Sequence, residues 1–62
     1  MIIVLTGKDT FVYINVNNIV FFEAGPIEYG RHQGTDVSML DGQGVWVRET
    51  PDEIMHKIRP NT

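Results

Sequence analysis

The stretch Thr35-Asp36-Val37-Ser38-Met39-Leu40-Asp41-Gly42-Gln43-Gly44-Val45-Trp46-Val47-Arg48-Glu49, with Thr50-Pro51-Asp52-Glu53 behind it, constrains the fold more than any other part of the chain. Apolar and polar residues alternate on both arms, and Asp41-Gly42 sits between them, so the pattern predicts a β-hairpin. With Asp41-Gly42 as a two-residue turn, Leu40 faces Gln43, Ser38 faces Val45 and Val37 faces Trp46. That register places Val37, Met39 and Trp46 on one face and Leu40, Val45 and Val47 on the other. Both faces are then apolar, whereas a half-exposed strand shows one apolar face. Thr50-Pro51-Asp52-Glu53 follows as a helix start: Thr50 as N-cap, Pro51 in the first helical position, Glu53 completing a capping box. Ile54 and Ile58 lie four apart on one face of this helix, Lys57 and Arg59 favour its negative end, and Pro60 stops it.

The N-terminal half reads as strands. Ile2–Leu5 is a β-rich apolar run, Thr6-Gly7-Lys8-Asp9 a turn, and Thr10–Val16 a second run dense in aromatic and β-branched residues. These two predict a first hairpin. Asn17-Asn18 then allows either a tight turn setting Val16 opposite Ile19, or a looser corner through Asn15 to Asn18. Ile19–Ala24 is a third strand under both readings. Gly25–Gly34 holds three glycines and a proline with no strand or helix period, which predicts an exposed loop.

Sixty-two residues make one domain near the lower limit of independent folding, and a chain this short buries only about 60% of its unfolded surface. It contains no cysteine, so neither disulfides nor thiolate-bound metal can supplement the core. A chain of this size without such staples often gains its missing burial from a partner subunit, which makes oligomerisation an expectation. A net charge of −3 and five scattered bases (Lys8, Arg31, Arg48, Lys57, Arg59) give no basic stripe for a phosphate backbone, which disfavours nucleic acid. The apolar run Met1–Leu5 is too short to span a membrane and lacks the flanks of a signal peptide. The expectation is a cytoplasmic protein.

No catalytic constellation stands out. Ser38 reads as a strand residue, the threonines as turn or cap residues, and Asp52–Glu53 as the helix start. His32 and His56 fall in different elements, without the spacing of metal ligands. No cofactor, metal or small-molecule substrate is implied. Tyr29, Arg31 and His32, in the glycine-rich loop, are the residues that could touch a ligand there. Interface candidates are Trp46, Leu40, Val45, Phe22 and Tyr13, led by Trp46 because tryptophan is enriched at binding hot spots. Phe11, Tyr13, Phe22 and Trp46 could alternatively stack on single-stranded bases. An uncharged Ile2–Leu5 at a sheet edge would invite pairing with another chain.

Gly7, Asn15, Ile19, Glu23, Val37, Gly42, Val47, Glu49, Glu53-Ile54 and Ile58 form a pattern that resembles the small FlbD-like proteins of bacterial flagellar and swarming systems. The run Val47–Ile54 is most similar to that family's strand-to-helix ending. The resemblance implies a non-enzymatic bacterial or phage accessory factor with a motility-related role. The segment Ile19–Ala24, followed by a hairpin and a helix, also resembles the central portion of LytTR-type DNA-binding domains, which implies a small nucleic-acid-binding regulator.

The expected architecture is mainly β: a five-stranded, curled antiparallel sheet or small open barrel closed by one C-terminal helix. Strands are expected at about 2–5, 10–16, 19–24, 35–40 and 44–49, and the helix at about 51–59. The expected function is a self-associating protein-interaction module.

Overall fold

The computed structural model describes residues 1–59; the expected helix stop at Pro60 and the tail after it lie outside the described residues. The chain is mainly β with one C-terminal helix. Its strands number seven among the described residues, in three small sheets rather than the expected single sheet of five. β1 (Ile2–Thr6) pairs with β2 (Phe11–Asn15); β3 (Ile19–Ala24), β6 (Thr35–Met39) and β7 (Gly44–Val47) form a second sheet in the order β3-β6-β7. β4 (Ile27–Glu28) and β5 (Arg31–His32) make a miniature third sheet. Helix α1 spans Pro51–Ile58.

The first hairpin sorts its side chains cleanly. Ile3 opposes Ile14 and Leu5 opposes Val12 on one face; Ile2, Val4, Phe11 and Tyr13 take the other. The inner set enters the core, where Ile3, Leu5, Ile14, Val37, Val47 and Ile54 are buried and Val12, Val16, Ile19, Phe22, Met39, Val45 and Ile58 pack around them half-buried. Of the two corners considered after Val16, the looser one forms. Val16–Asn18 is a single 3-10 turn, with the Asn15 side chain accepting from the Asn17 N–H at 3.0 Å. β2 and β3 therefore belong to different sheets, and Val16 does not pair with Ile19.

The Thr35–Glu49 hairpin forms with its register displaced by one residue from expectation. Val37 opposes Val45, Ser38 opposes Gly44, Asp36 opposes Trp46 and Thr35 opposes Val47. The cause is the turn. Gly42 N–H donates to the Met39 carbonyl at 3.0 Å, Met39 N–H donates to the Gln43 carbonyl at 2.9 Å, and Gly42 sits at φ +88°. This is a three-residue loop, Leu40-Asp41-Gly42, with a left-handed glycine closing a bulge. One residue of slip moves every side chain to the opposite face. Thr35, Val37, Val45 and Val47 now share the core side, while Asp36, Ser38 and Trp46 face outward. The apparent second apolar face of this hairpin disappears.

Gly25–Gly34 is likewise not a structureless loop. Tyr29 (φ +54°) and Gly30 (φ +81°) form a two-residue turn with both central φ values positive, the type that matches strand twist, and join β4 to β5. A single residue of β3 is skipped between Ile19 and Phe21, where Val20 bulges outward against β6.

The helix starts on the expected cap. Thr50 Oγ1 accepts from the Glu53 N–H at 3.1 Å, and the Glu53 carboxylate accepts from the Thr50 N–H at 3.0 Å. Ile54 is fully buried and Ile58 half-buried, so one stripe of the helix closes the core from below.

Candidate functional site

The two strand edges of the first hairpin meet different surroundings. At β1, the Thr6 carbonyl accepts from the Arg48 N–H at 2.7 Å, and the Thr6 N–H and hydroxyl both donate to the Glu49 carboxylate, at 2.9 Å from each to its nearer oxygen. Thr35, the buried polar residue of the core, adds a hydroxyl bond to the Glu49 carbonyl at 2.6 Å. This seam stitches the first hairpin to the segment after β7. Partial burial pushes the Glu49 carboxyl pKa up, but the hydrogen bonds from the Thr6 and Glu49 main-chain N–H groups and the Thr6 hydroxyl, with the charge of Lys57, outweigh it. The net result is a pKa below the ordinary value of 4.5.

At β2 the arrangement is open. Among the described residues β2 pairs with β1 alone. Beyond it lies a cleft of about 450 Å³, walled by Val12, Tyr13 and Ile14 on one side and by the β6–β7 turn on the other. Three of the five interface candidates meet there: Tyr13 on the strand, Leu40 on the rim at 67% exposed, and half-buried Val45 in the floor. The outer face of the hairpin continues from this edge. Ile2, Val4, Phe11 and Tyr13 are 60, 41, 62 and 70% exposed, an apolar surface with no element over it among the described residues.

The other candidates lie elsewhere. Phe22 is half-buried opposite Val37, on the core side of its strand. Trp46 is half-buried on the outer side of β7; its indole N–H donates to the Gln33 carbonyl at 2.9 Å and its ring lies against Gly34. A Cβ at Gly34, whose φ is +66°, would collide with the Val47 carbonyl and with that ring. Trp46 therefore pins the β4–β5 segment to the sheet, and with Glu23, Glu28 and Asp36 it borders a second cleft, of about 660 Å³. In the loop, Tyr29 is almost fully exposed at the turn, Arg31 is exposed, and the exposed His32 places Nδ1 2.8 Å from the Gly25 carbonyl.

Ile2, Val4 and Phe11 are absent from the interface candidates read from the sequence, although Phe11 is considered there for base stacking and Ile2–Leu5 as a pairing edge. Strict alternation with Ile3 and Leu5 carried the signal, since a hairpin that buries one set must expose the other. Among the described residues, no group of three or more His, Cys, Asp or Glu comes together to hold a metal ion, and no helix is long and apolar enough to cross a membrane. Compared with known proteins, the chain matches no family model, no curated protein and no solved structure.

Proposed function

We infer that the chain is a non-enzymatic protein-interaction module that associates with a second copy or another protein through the first hairpin. One observation carries the reading: Ile2, Val4, Phe11 and Tyr13 form an exposed apolar face on a domain whose core is small and ringed by half-buried residues. Covering that face would add the burial that a chain of this length lacks. A cytoplasmic bacterial or phage accessory factor, motility-related as the FlbD-like pattern suggests, is the setting that fits such a module. A LytTR-like role finds less support, because three carboxylates, Glu23, Glu28 and Asp36, border the Trp46 cleft against a single base, Lys8.

The test is light scattering across a concentration series, paired with a Val4→Glu, Phe11→Glu double variant. Association that the double variant abolishes while remaining folded supports the reading. A chain that is monomeric at every concentration and retains no protein partner in pull-down overturns it. Titration with labelled oligonucleotides at low and moderate salt covers the alternative, for which salt-sensitive binding is the expected signature.

A further inference from the structure

We propose that β2 is a self-complementary edge, and that two copies of this chain pair antiparallel along it about a two-fold axis through Tyr13. The proposal rests on the interaction-module reading but places the contact at the strand edge and the cleft beside it, so that Phe11 and Tyr13 of the outer face adjoin the second copy while Ile2 and Val4, on β1, lie outside the contact.

The directions of the main-chain groups follow from the ladder. Gly7 N–H donates to the Thr10 carbonyl at 2.8 Å, and Val16 N–H donates to the Met1 carbonyl at 2.9 Å, at the two ends of the β1–β2 register. Hydrogen-bonded and non-hydrogen-bonded pairs alternate along an antiparallel ladder. Leu5–Val12 and Ile3–Ile14 are therefore the bonded pairs between these ends. Phe11 and Tyr13 direct their N–H and C=O groups, and Asn15 its N–H, away from β1, toward the cleft; the Asn15 carbonyl, at the N-cap of the 3-10 turn, takes the first bond of that turn. Thr6, by the same alternation, points away from β2, and it is there that Arg48 and Glu49 meet it.

An antiparallel copy centred on Tyr13 satisfies the outward groups. Tyr13 pairs with Tyr13 of the second copy, and the Phe11 carbonyl accepts from its Asn15 N–H. The non-bonded pairs between them set Val12 against Ile14 of the second copy, on the inner side that borders the cleft. Both tyrosine rings then stand side by side on the outer face, flanked by Phe11, a cross-strand arrangement that favours aromatic residues. The strand Phe11-Val12-Tyr13-Ile14-Asn15 carries no charge, proline, glycine or bulge, which are the devices that keep a free edge from pairing. β3, an edge of the other sheet, carries both a bulge and Glu23.

The surface available fits a second copy. A standard interface buries on the order of 800 Å² per subunit, roughly a sixth of this chain's 4684 Å². Phe11, Tyr13 and Leu40, all more than 60% exposed, and the half-buried Val12, Met39 and Val45 adjoin this edge and its cleft. Strand addition adds main-chain bonds to that apolar area, which neither partner could make by stacking faces.

The absence of native cysteine makes a direct test available. Tyr13→Cys and Val4→Cys are compared under mild oxidation. Bonded antiparallel partners lie about 5.5 Å apart at Cα, inside the range a disulfide spans. Val4, one strand further from the axis in each copy, falls outside that range because neighbouring strands are about 4.8 Å apart. The expected result is a covalent dimer from Tyr13→Cys and none from Val4→Cys. A second measurement uses the unaltered protein: exchange of the Tyr13 amide slows at least tenfold between dilute and concentrated samples, while the Val12 and Ile14 amides, already bonded to β1, change little. A wild-type dimer by light scattering with no Tyr13→Cys cross-link and no change in Tyr13 exchange overturns the edge pairing and leaves the interaction module standing. A monomer whose Tyr13 amide is protected only when a different protein is added overturns the second copy as occupant. A monomer that nothing protects overturns both.

Discussion

The two edges of the first hairpin end in opposite ways. At Thr6, on β1, the chain spends a carboxylate, a hydroxyl and three main-chain groups on closing the gap to the residues after β7. At Tyr13, on β2, the gap stays open as a cleft, and the strand beside it is uncharged. A domain with so few fully buried residues gains more from a firm seam on one side than from two loose ones. The side left unsealed is then the side on which another molecule can complete the sheet.

That contrast can be broken by substitution, and the effects should fall in a definite order. Leu5→Ala, at a fully buried core position of β1, is expected to cost about 2–5 kcal/mol in urea unfolding. Glu49→Ala, which opens the seam, should cost about 1–3 kcal/mol by leaving Thr6 without its charged acceptor. Trp46→Phe should cost about 1 kcal/mol through loss of the indole bond to Gln33, and hydrogen exchange should show the loosening confined to Gly25–Gly34. Val4→Ala, one residue from Leu5 but on the outer face, should change monomer stability by only about 0.5 kcal/mol. If Val4→Ala proves as costly as Leu5→Ala in dilute solution, the outer face is not free in the monomer.

Acid sharpens the same comparison. The folded-state pKa of Glu49 lies below its ordinary value of 4.5, so its contribution is present above that value and is lost as pH falls through the lower, folded value. The stability difference between wild type and Glu49→Gln should therefore narrow as pH is lowered below about 4.5, measured by denaturant midpoint at each pH. A difference that widens on acidification would mean that the seam is not held by the ionised carboxylate.

What the residues disclosed in advance was local. Thr50 and Glu53 announce the helix because both halves of a capping box are close in sequence. Asp41-Gly42 announces a turn for the same reason. It does not announce which turn, since an Asp-Gly pair serves both a two-residue loop and the last two places of a three-residue loop ending in a left-handed glycine. That ambiguity is one residue wide, yet it took Trp46 off the face expected to hold Val37 and Met39 and set it beside Asp36 and over Gly34. The β4–β5 hairpin was illegible for a different reason: arms of two residues, Ile27–Glu28 and Arg31–His32, are too short to show alternation. The seam was harder still. Thr6 and Glu49 are 43 residues apart, and neither has a neighbour that marks it as half of a pair. The open edge follows only once the seam is known, because nothing in Phe11–Asn15 says which of its sides will be left over.

Gly42 has open space around its α-carbon, so its requirement is one of handedness rather than room. A mirror-image alanine inserted there by chemical synthesis should be accepted, whereas the natural alanine strains a backbone at φ +88°. The shorter two-residue turn offers no escape, because it too demands left-handed backbone within Asp41-Gly42. The inside and outside of β7 are thus fixed by the handedness that a single α-carbon can accept.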